Sequence, residues 1–199
     1  MTSERMTITV AIEASVADPA EAEFAALVVR ARAGDRAALE GVIETVERRI
    51  YGLAWRLLGD GAAAEDVAQE VFLKICQRLN QFRGGNFLGW AYRMTVNQAH
   101  DWRRRGGGAR EELVEETVAP AGLDAARQEQ LRRVMEAMAV LTVKEREALV
   151  LTELEGFSSR EAARILGGMG VTVRVRAAQA RKKIRRALAR FYPELREGV

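Results

Sequence analysis

The feature that most constrains the fold is the spacing of apolar residues, which recur every three or four positions along much of the chain. Such spacing places them on one side of an α-helix. Series of this kind run from Phe24 to Ala31, from Leu39 to Leu57 and from Val67 to Leu79. All three prolines lie outside the helical stretches, where a missing backbone donor does little damage: Pro19, Pro120 and Pro193. The sequence therefore predicts an all-α protein.

One stretch with few core-forming residues divides the helices into two groups. Three arginines, three glycines and an acidic cluster follow one another between Arg103 and Glu116, which is typical of a linker. We predict two small helical domains, residues 20–105 and 123–192, joined by a flexible linker over 106–122. Residues 1–19 keep no sustained period and are predicted to form a flexible tail.

The composition excludes several classes of protein. The chain has 199 residues, 48% of them hydrophobic, and can bury a core. One cysteine and one histidine leave no disulfide and no soft-ligand metal site, and no nucleophile–base set is present. We predict no catalytic residues, no metal and no cofactor. Cys76 is interpreted as a core thiol, and His100 as a solvated or DNA-facing histidine.

Membrane insertion is not expected. No apolar run approaches the ~20 residues that a membrane span requires. The first residues also lack the basic-then-apolar order of a secretory signal. The sequence therefore predicts a cytoplasmic protein.

Positive charge is concentrated near the C-terminus. Residues 158–190 contain ten Lys or Arg and a single acid, Glu161, giving a formal charge of +9 where the whole chain has +3. A basic block on a mildly acidic body indicates that the block binds a polyanion.

The same block has the proportions of a helix-turn-helix. Thr142–Glu145 and Ser158–Glu161 each have the form of a capping box, which starts a helix. The two helices are predicted to end at Gly156 and Gly167, and a third to begin near Thr172. The last two helices, joined by a glycine-rich turn, form the predicted pair.

The last helix can be divided into two faces by its step of about 100° per residue. An apolar stripe faces the preceding helix: Val173, Ala177, Ala180, Ile184 and Leu188. The opposite side carries Arg174, Val175, Ala178, Gln179 and Lys182. In a major groove Arg suits guanine, Gln suits adenine and an aliphatic side chain can touch a thymine methyl. Flanking cations would reach phosphates: Arg181, Lys183, Arg185 and Arg186. The alternatives are a solvated basic helix in a bundle, or a phosphate cradle at the glycines, which lacks the Lys-Ser/Thr pair of a P-loop.

The first domain carries two further patterns. Asp66, Gln69 and Glu70 share one polar side of a helix. Residues 87–105 mix aromatic side chains with cations and amides, a combination that suits unpaired DNA. Without further context Asp66 and Glu70 could be ordinary solvated carboxylates, and Trp90 and Met94 have the spacing of packed residues.

Together these stretches resemble the extracytoplasmic-function (ECF) sigma factors of the sigma-70 family. The resemblance rests on Arg56–Asp60 with Ala64–Leu73, on Phe82–Arg105 and on Leu141–Leu188. These stretches cover roughly two thirds of the chain and occur in the family's order and spacing. The resemblance identifies the two domains as sigma region 2 and sigma region 4.

The resemblance also implies roles for individual residues. The face that docks on the polymerase clamp helices is matched by Asp66, Gln69 and Glu70. Minus-ten DNA would be bound by Gly84, Gly85, Asn86, Phe87, Asn97, Asp101 and Arg104. Minus-thirty-five DNA would be bound by Thr172, Arg174, Val175, Gln179, Lys182, Lys183 and Arg186. In similar proteins the linker threads the polymerase's active-site and RNA-exit channel.

The resemblance implies a sigma factor that binds core RNA polymerase and promoter DNA, directs transcription initiation and has an anti-sigma factor as a further partner. The alternative is a stand-alone helix-turn-helix regulator that acts on duplex DNA. An enzyme is not expected.

Overall fold

A computed structural model of the protein describes residues 19–106 and 125–192. The described residues form eight α-helices and no strand, so the predicted all-α class is confirmed. Apart from Pro19 and Gly106, the predicted tail and linker lie outside these ranges. The prediction that Pro19 lies in the tail, outside the helices, is wrong: it is the first residue of a helix. That position suits proline because the first amides of a helix have no partner within it.

The helices are numbered in chain order, and two short turns of other helical type accompany them. Their bounds are α1 Pro19–Arg32, α2 Arg36–Leu58, α3 Gly61–Arg78, α4 Phe87–Arg104, α5 Ala125–Met138, α6 Val143–Leu149, α7 Ser159–Leu166 and α8 Gly170–Leu188. A 3₁₀ turn, Leu79–Gln81, follows α3, and a π-helical turn, Val150–Leu154, follows α6. The described residues divide into two compact units, with the boundary between Val46 and Glu47 inside α2.

In the first unit, Asp35 fixes the turn between α1 and α2. Its carboxylate accepts a hydrogen bond from the Ala38 amide at 3.0 Å and pairs with Arg30 at 2.6 Å. These bonds hold the pKa of Asp35 below its usual range. Gly41 faces Leu27 closely, since a Cβ at Gly41 would lie in van der Waals contact with that side chain, 3.6 Å away.

In the second unit, the end of α2 packs with α3 and α4 around a core of aliphatic side chains and one tyrosine. Fully buried members include Ile50, Leu53, Leu57, Val67, Val71, Ile75, Tyr92 and Val96. Asp60 caps α3 by accepting from the Ala63 amide at 2.9 Å, and Asn86 caps α4 by accepting from the Gly89 amide at 2.8 Å. The caps supply partners for amides at the helix starts, so both helices begin at defined residues.

The helices α6 and α7 begin at the residues that their sequence signals predict. Thr142 and Ser158 each form a complete capping box, with Glu145 and Glu161 respectively. Gly167 ends α7 in the left-handed region, with φ at +70°, and the Gly168 amide donates to the Ala163 carbonyl. Such an ending favours glycine because a Cβ would be strained there.

The α6 helix continues directly into the π turn before the chain leaves the helical conformation. The Glu155 amide donates to the carbonyl of Val150, five residues earlier, at 3.0 Å. The turn therefore contains one residue more than an α-helical turn would. It brings Glu155 against the α2 and α4 helices.

Glu155 is the centre of a polar contact between the C-terminal helices and the α2–α4 group. Its carboxylate is paired with Arg56 and accepts a hydrogen bond from the Tyr92 hydroxyl at 2.5 Å. The Tyr92 ring also meets Phe157 edge-on, with 5.6 Å between ring centroids. Burial and the bond to Glu155 raise the pKa of Tyr92, so its hydroxyl stays protonated as a donor.

Two further contacts join the same helices. The carbonyl of Leu57 accepts from Arg103 at 2.5 Å and from Arg146 at 3.1 Å. His100 Nε2 lies 2.5 Å from a carboxylate oxygen of Glu147, whose side chain is buried. His100 is partly exposed, as a solvated histidine would be, and an acid from α6 also holds its ring, which the sequence did not indicate.

The interpretation of Cys76 as a core thiol is also wrong. The cysteine is exposed near the end of α3. Ile75 points into the core, and the side chain of Cys76, the next residue, points about 100° away from it around the helix.

Candidate functional site

The polar side chains predicted on α3 lie together on its exposed side. Asp66, Gln69 and Glu70 are all exposed, while Val67 and Val71, which follow Asp66 and Glu70, are buried. Leu73 continues the same side one turn later and is 57% exposed. We call Asp66, Gln69, Glu70 and Leu73 the α3 face. It combines two carboxylates, an amide and an exposed leucine that the sequence analysis did not single out.

A shallow depression of about 400 Å³ lies between the α3 face and α4. Its lining residues are Glu70, Lys74, Gln98, Asp101, Arg104 and Arg105. Lys74 donates a hydrogen bond to Gln98, which is otherwise buried. The depression therefore joins a residue predicted to dock on polymerase to two residues predicted to face the minus-ten element.

The turn before α4 is open, and its backbone adopts a left-handed conformation that favours glycine. Gly84 and Gly85 have φ of +92° and +86°, and no atom lies within 4 Å of where a Cβ would be. Asn86 uses its carbonyl oxygen to cap α4. Phe87 is 5% exposed and packs against Phe82 and Trp90, with 5.3 Å and 5.4 Å between ring centroids. The ring of Phe87 is thus packed in the interior behind the turn. The accessible part of the turn is Gly84–Asn86.

Three predicted residues share one side of α4. Asn97 and Arg104 are exposed, and Asp101 is partly exposed and paired with Arg104. Residues 97, 101 and 104 follow one another at helical spacing, so the structure brings them onto one face. The neighbouring side of the helix carries Tyr92 and His100, which contact the C-terminal helices.

The basic helix α8 presents the two faces expected from its sequence. Val173, Ala177 and Ala180 are buried against α6 and α7. The opposite side exposes Arg174, Val175, Ala178, Gln179, Lys182 and Arg186, and Thr172 at the edge is half-buried. The α7–turn–α8 unit therefore has a packed side and a free basic side, as a helix-turn-helix requires.

The start of α8 differs from the prediction near Thr172, because the helix begins at Gly170. Met169 precedes it in an extended conformation, and its side chain forms no cap. The helix begins close to α7, since a Cβ at Gly170 would lie in van der Waals contact with the Ser159 carbonyl oxygen, 3.4 Å away. The turn is consequently shorter than predicted, and Val171 becomes a helical residue.

Two cations of α8 are already paired with acids of this chain. Lys183 donates to Glu145 at 2.8 Å, and Arg181 pairs with Glu153 at 2.6 Å. The contact with Lys183 and the capping box together hold the pKa of Glu145 below its usual range. Lys183, predicted to bind DNA, therefore also anchors α8 to the start of α6.

Comparison with known proteins places the chain in a family. Residues 42–109 match Sigma-70 region 2, and residues 131–184 match Sigma-70, region 4. The chain thus belongs to the sigma-70 family of RNA polymerase sigma factors.

The curated relatives narrow the assignment. The chain is 32% identical to the ECF RNA polymerase sigma factor SigE of Mycolicibacterium smegmatis over 83% of its own length and 68% of that protein's. It is 32% identical to the RNA polymerase sigma-H factor of Pseudomonas aeruginosa over 86% of its own length and 95% of that protein's. The chain belongs to the ECF sigma factors, which act in promoter recognition and transcription initiation.

Solved structures share the fold. The sigma factor RpoE of Bartonella quintana, solved with the anti-sigma factor NepR, has a TM-score of 0.64, 24% identity, and covers 75% of this chain and 95% of its own. CnrH, solved with the cytosolic domain of CnrY, has a TM-score of 0.65, 25% identity, and covers 82% of this chain and 96% of its own. Among the residues described here, none of the helices combines the length and apolar character needed to cross a membrane.

Proposed function

We propose that this ECF sigma factor binds core RNA polymerase through the α3 face and contacts the two promoter elements through separate parts of the chain. The observation that carries the proposal is the presence of both sigma regions in one chain, region 2 before region 4. A stand-alone helix-turn-helix regulator would have no need of the first region. The division into domains at 20–105 and 123–192 belongs to the same proposal.

Polymerase docking is assigned to Asp66, Gln69 and Glu70. Their exposure on one side of a helix whose other side is fully packed supports this assignment. Leu73 adds an apolar group to the α3 face. Interfaces between proteins commonly surround apolar contacts with polar groups that set register and orientation.

The minus-ten element is assigned to the turn Gly84–Asn86 and to Asn97, Asp101 and Arg104 of α4. The turn has open space on its outer side, where a displaced base could enter. The cations at the end of α4 supply positive charge for the DNA backbone. Phe87 would act indirectly, by holding the shape of the turn.

The minus-thirty-five element is assigned to α8, with Arg174, Val175 and Gln179 as base readers. Thr172, Lys182, Lys183 and Arg186 would contact the element from the edges of that face. The exposure of Arg174, Val175 and Gln179 opposite the buried stripe supports the assignment. Lys183 is only partly exposed and also pairs with Glu145.

We further propose that the chain works in the cytoplasm, catalyses no reaction itself and is held inactive by an anti-sigma factor. The last point rests on the likeness to RpoE, which was solved in complex with such a factor.

The test is run-off transcription with purified core polymerase and fragments of genomic DNA. We expect transcripts with discrete starts that depend on the added chain. A chain that binds duplex DNA but neither binds core polymerase nor directs such transcripts would overturn the proposal in favour of a stand-alone regulator.

A further inference from the structure

The centre of the exposed side of α8 is aliphatic although its borders are basic. Val171 is 68% exposed and Val175 is 50% exposed. Counting 100° per residue, Val175 points directly away from the buried stripe of Val173, Ala177 and Ala180. Val171 lies one turn earlier on the same side, and the exposed Ala178 follows. We call Val171, Val175 and Ala178 the aliphatic ridge.

The charges on either side of the aliphatic ridge indicate what covers it. Arg174 lies on one side, and Lys182 and Arg186 continue the exposed surface beyond the ridge. Block charge of this kind favours a polyanion over a second protein surface of ordinary composition. Duplex DNA supplies phosphates for the cations at the borders of the face and base edges for its centre.

An aliphatic side chain has few ways to distinguish bases. It can neither donate nor accept a hydrogen bond, so it gains nothing from the polar edges of the major groove. The C5-methyl of thymine is the apolar group presented there by an unmodified base pair. Valine also holds one strongly preferred rotamer in a helix, so a contact with that methyl costs little side-chain freedom.

We propose that Val171 and Val175 read thymine methyl groups in the minus-thirty-five element, which gives this sigma factor a preference for thymines there. The inference rests on the proposed role of α8 in binding that element. The two valines are four residues apart, a rise of about 6 Å along the helix. Base pairs are spaced about 3.4 Å apart, so the methyls read lie on pairs one or two steps apart.

The experiment removes the methyl group without changing any hydrogen-bonding edge. Polymerase complexed with the chain is titrated with promoter duplexes in which each minus-thirty-five thymine is replaced, one at a time, by uracil. At one or two positions we expect binding to weaken about fourfold, the factor that corresponds to burying one methyl-sized group. The Val171→Ala and Val175→Ala variants should each lose this sensitivity at one position, so that the thymine and uracil duplexes bind equally well there.

Two control variants separate methyl reading from other effects. Val140→Ala alters an exposed valine outside α8 and should keep the full difference between thymine and uracil. Arg186→Ala should weaken binding to both duplexes equally. Alanine is the better helix former, so neither ridge variant should lose helical structure.

The outcomes distinguish this inference from the proposed function. If the wild-type complex selects the promoter but binds thymine and uracil duplexes equally, the inference is wrong and the proposed function stands. The same result would follow if the aliphatic ridge packed against another protein. If sensitivity to uracil persists in both valine variants, another group reads the methyl and the inference is again wrong. If no promoter is selected at all, the proposed function itself fails.

Discussion

The α3 face and the exposed side of α8 have the same helical arrangement, but they differ in how their charged residues pair with the rest of the chain. Each is the exposed side of a helix whose other side is packed. Among the described residues, Asp66 and Glu70 of the α3 face form no ion pair, whereas α8 has Arg181 and Lys183 paired with acids of α6 and the π turn. The α3 carboxylates are therefore candidates for binding alone, while some α8 cations also hold the fold together.

From this difference we expect the largest loss of binding when the charges of the α3 face are reversed. The Asp66→Lys/Glu70→Lys variant should bind core polymerase at least about 100-fold more weakly, because unfavourable charge pairs in an interface cost several kcal/mol. The measurement is competition with the wild type for core polymerase, with circular dichroism to check that helical content is unchanged. Glu44→Lys/Glu47→Lys makes the same charge change on exposed positions of α2 and should compete normally. Normal competition by the α3 variant would remove the assignment of this face to polymerase.

On α8 the expected effect is smaller and depends on sequence. Arg174→Ala or Gln179→Ala should cost roughly 1–3 kcal/mol at the preferred minus-thirty-five element and relax discrimination at one or two base pairs. Arg186→Ala should weaken binding to all sequences alike and make the salt dependence shallower, because a phosphate contact carries no sequence information. Both are measured by binding of the polymerase complex to single-base variants at two salt concentrations. A uniform loss with Arg174→Ala and Gln179→Ala would mean that α8 is oriented differently.

A third prediction compares two acids at the end of the π turn. Glu155→Ala should lower the free energy of unfolding by roughly 1–3 kcal/mol. The substitution removes a carboxylate whose side chain is only 10% exposed, and it leaves Arg56 and Tyr92 without their partner. Glu153→Ala removes an exposed pair with Arg181 and should cost less than about 1 kcal/mol. Urea unfolding of both variants checks the difference. Equal costs would show that the contact through Glu155 does not stabilise the protein in solution.

The smallest effect concerns pH. Lys183 and the capping box lower the pKa of Glu145 in the folded state, so the unfolded chain binds a proton more readily there. The stabilisation is therefore fully present above the ordinary glutamate pKa of about 4.3 and is lost as pH falls through the lowered value. The advantage of the wild type over Glu145→Gln in urea unfolding should shrink between pH 7 and about pH 3.

Lys183→Ala provides the control for that pH dependence. Removing the lysine takes away the largest cause of the lowered pKa, so Glu145→Gln should then change the pH profile less. Parallel profiles for the wild type and Glu145→Gln would mean that the pair with Lys183 contributes nothing.

The helices and the exposed side of α8 could be predicted from sequence because both depend on local spacing. Each apolar series marks a packed side, and Glu145 and Glu161 mark helix starts by their distance from Thr142 and Ser158. The start of α8 was missed by two residues because Met169 has no capping side chain to mark it.

Contacts between distant residues could not be predicted in this way. His100 and Glu147 are 47 positions apart, and Tyr92 and Glu155 are 63 apart. No local pattern relates such residues, so His100 was interpreted from its neighbours alone. The α3 face shows the same limit in another form, since its polar spacing is also that of an ordinary solvated helix side.

The π turn makes one of these distant contacts depend on the number of residues in the chain. Glu155 reaches Arg56 and Tyr92 only after a turn that contains one residue more than an α-helical turn. If the same residues closed into a regular α-helix, Leu154 would bond the Val150 carbonyl in place of Glu155, and Glu155 would lie one residue, about 100°, further around the helix. Glu155 would then point away from both partners although every contacting side chain was still present. The extra residue in the turn is therefore what places the carboxylate against its partners, and the length of the segment is itself part of what the sequence encodes.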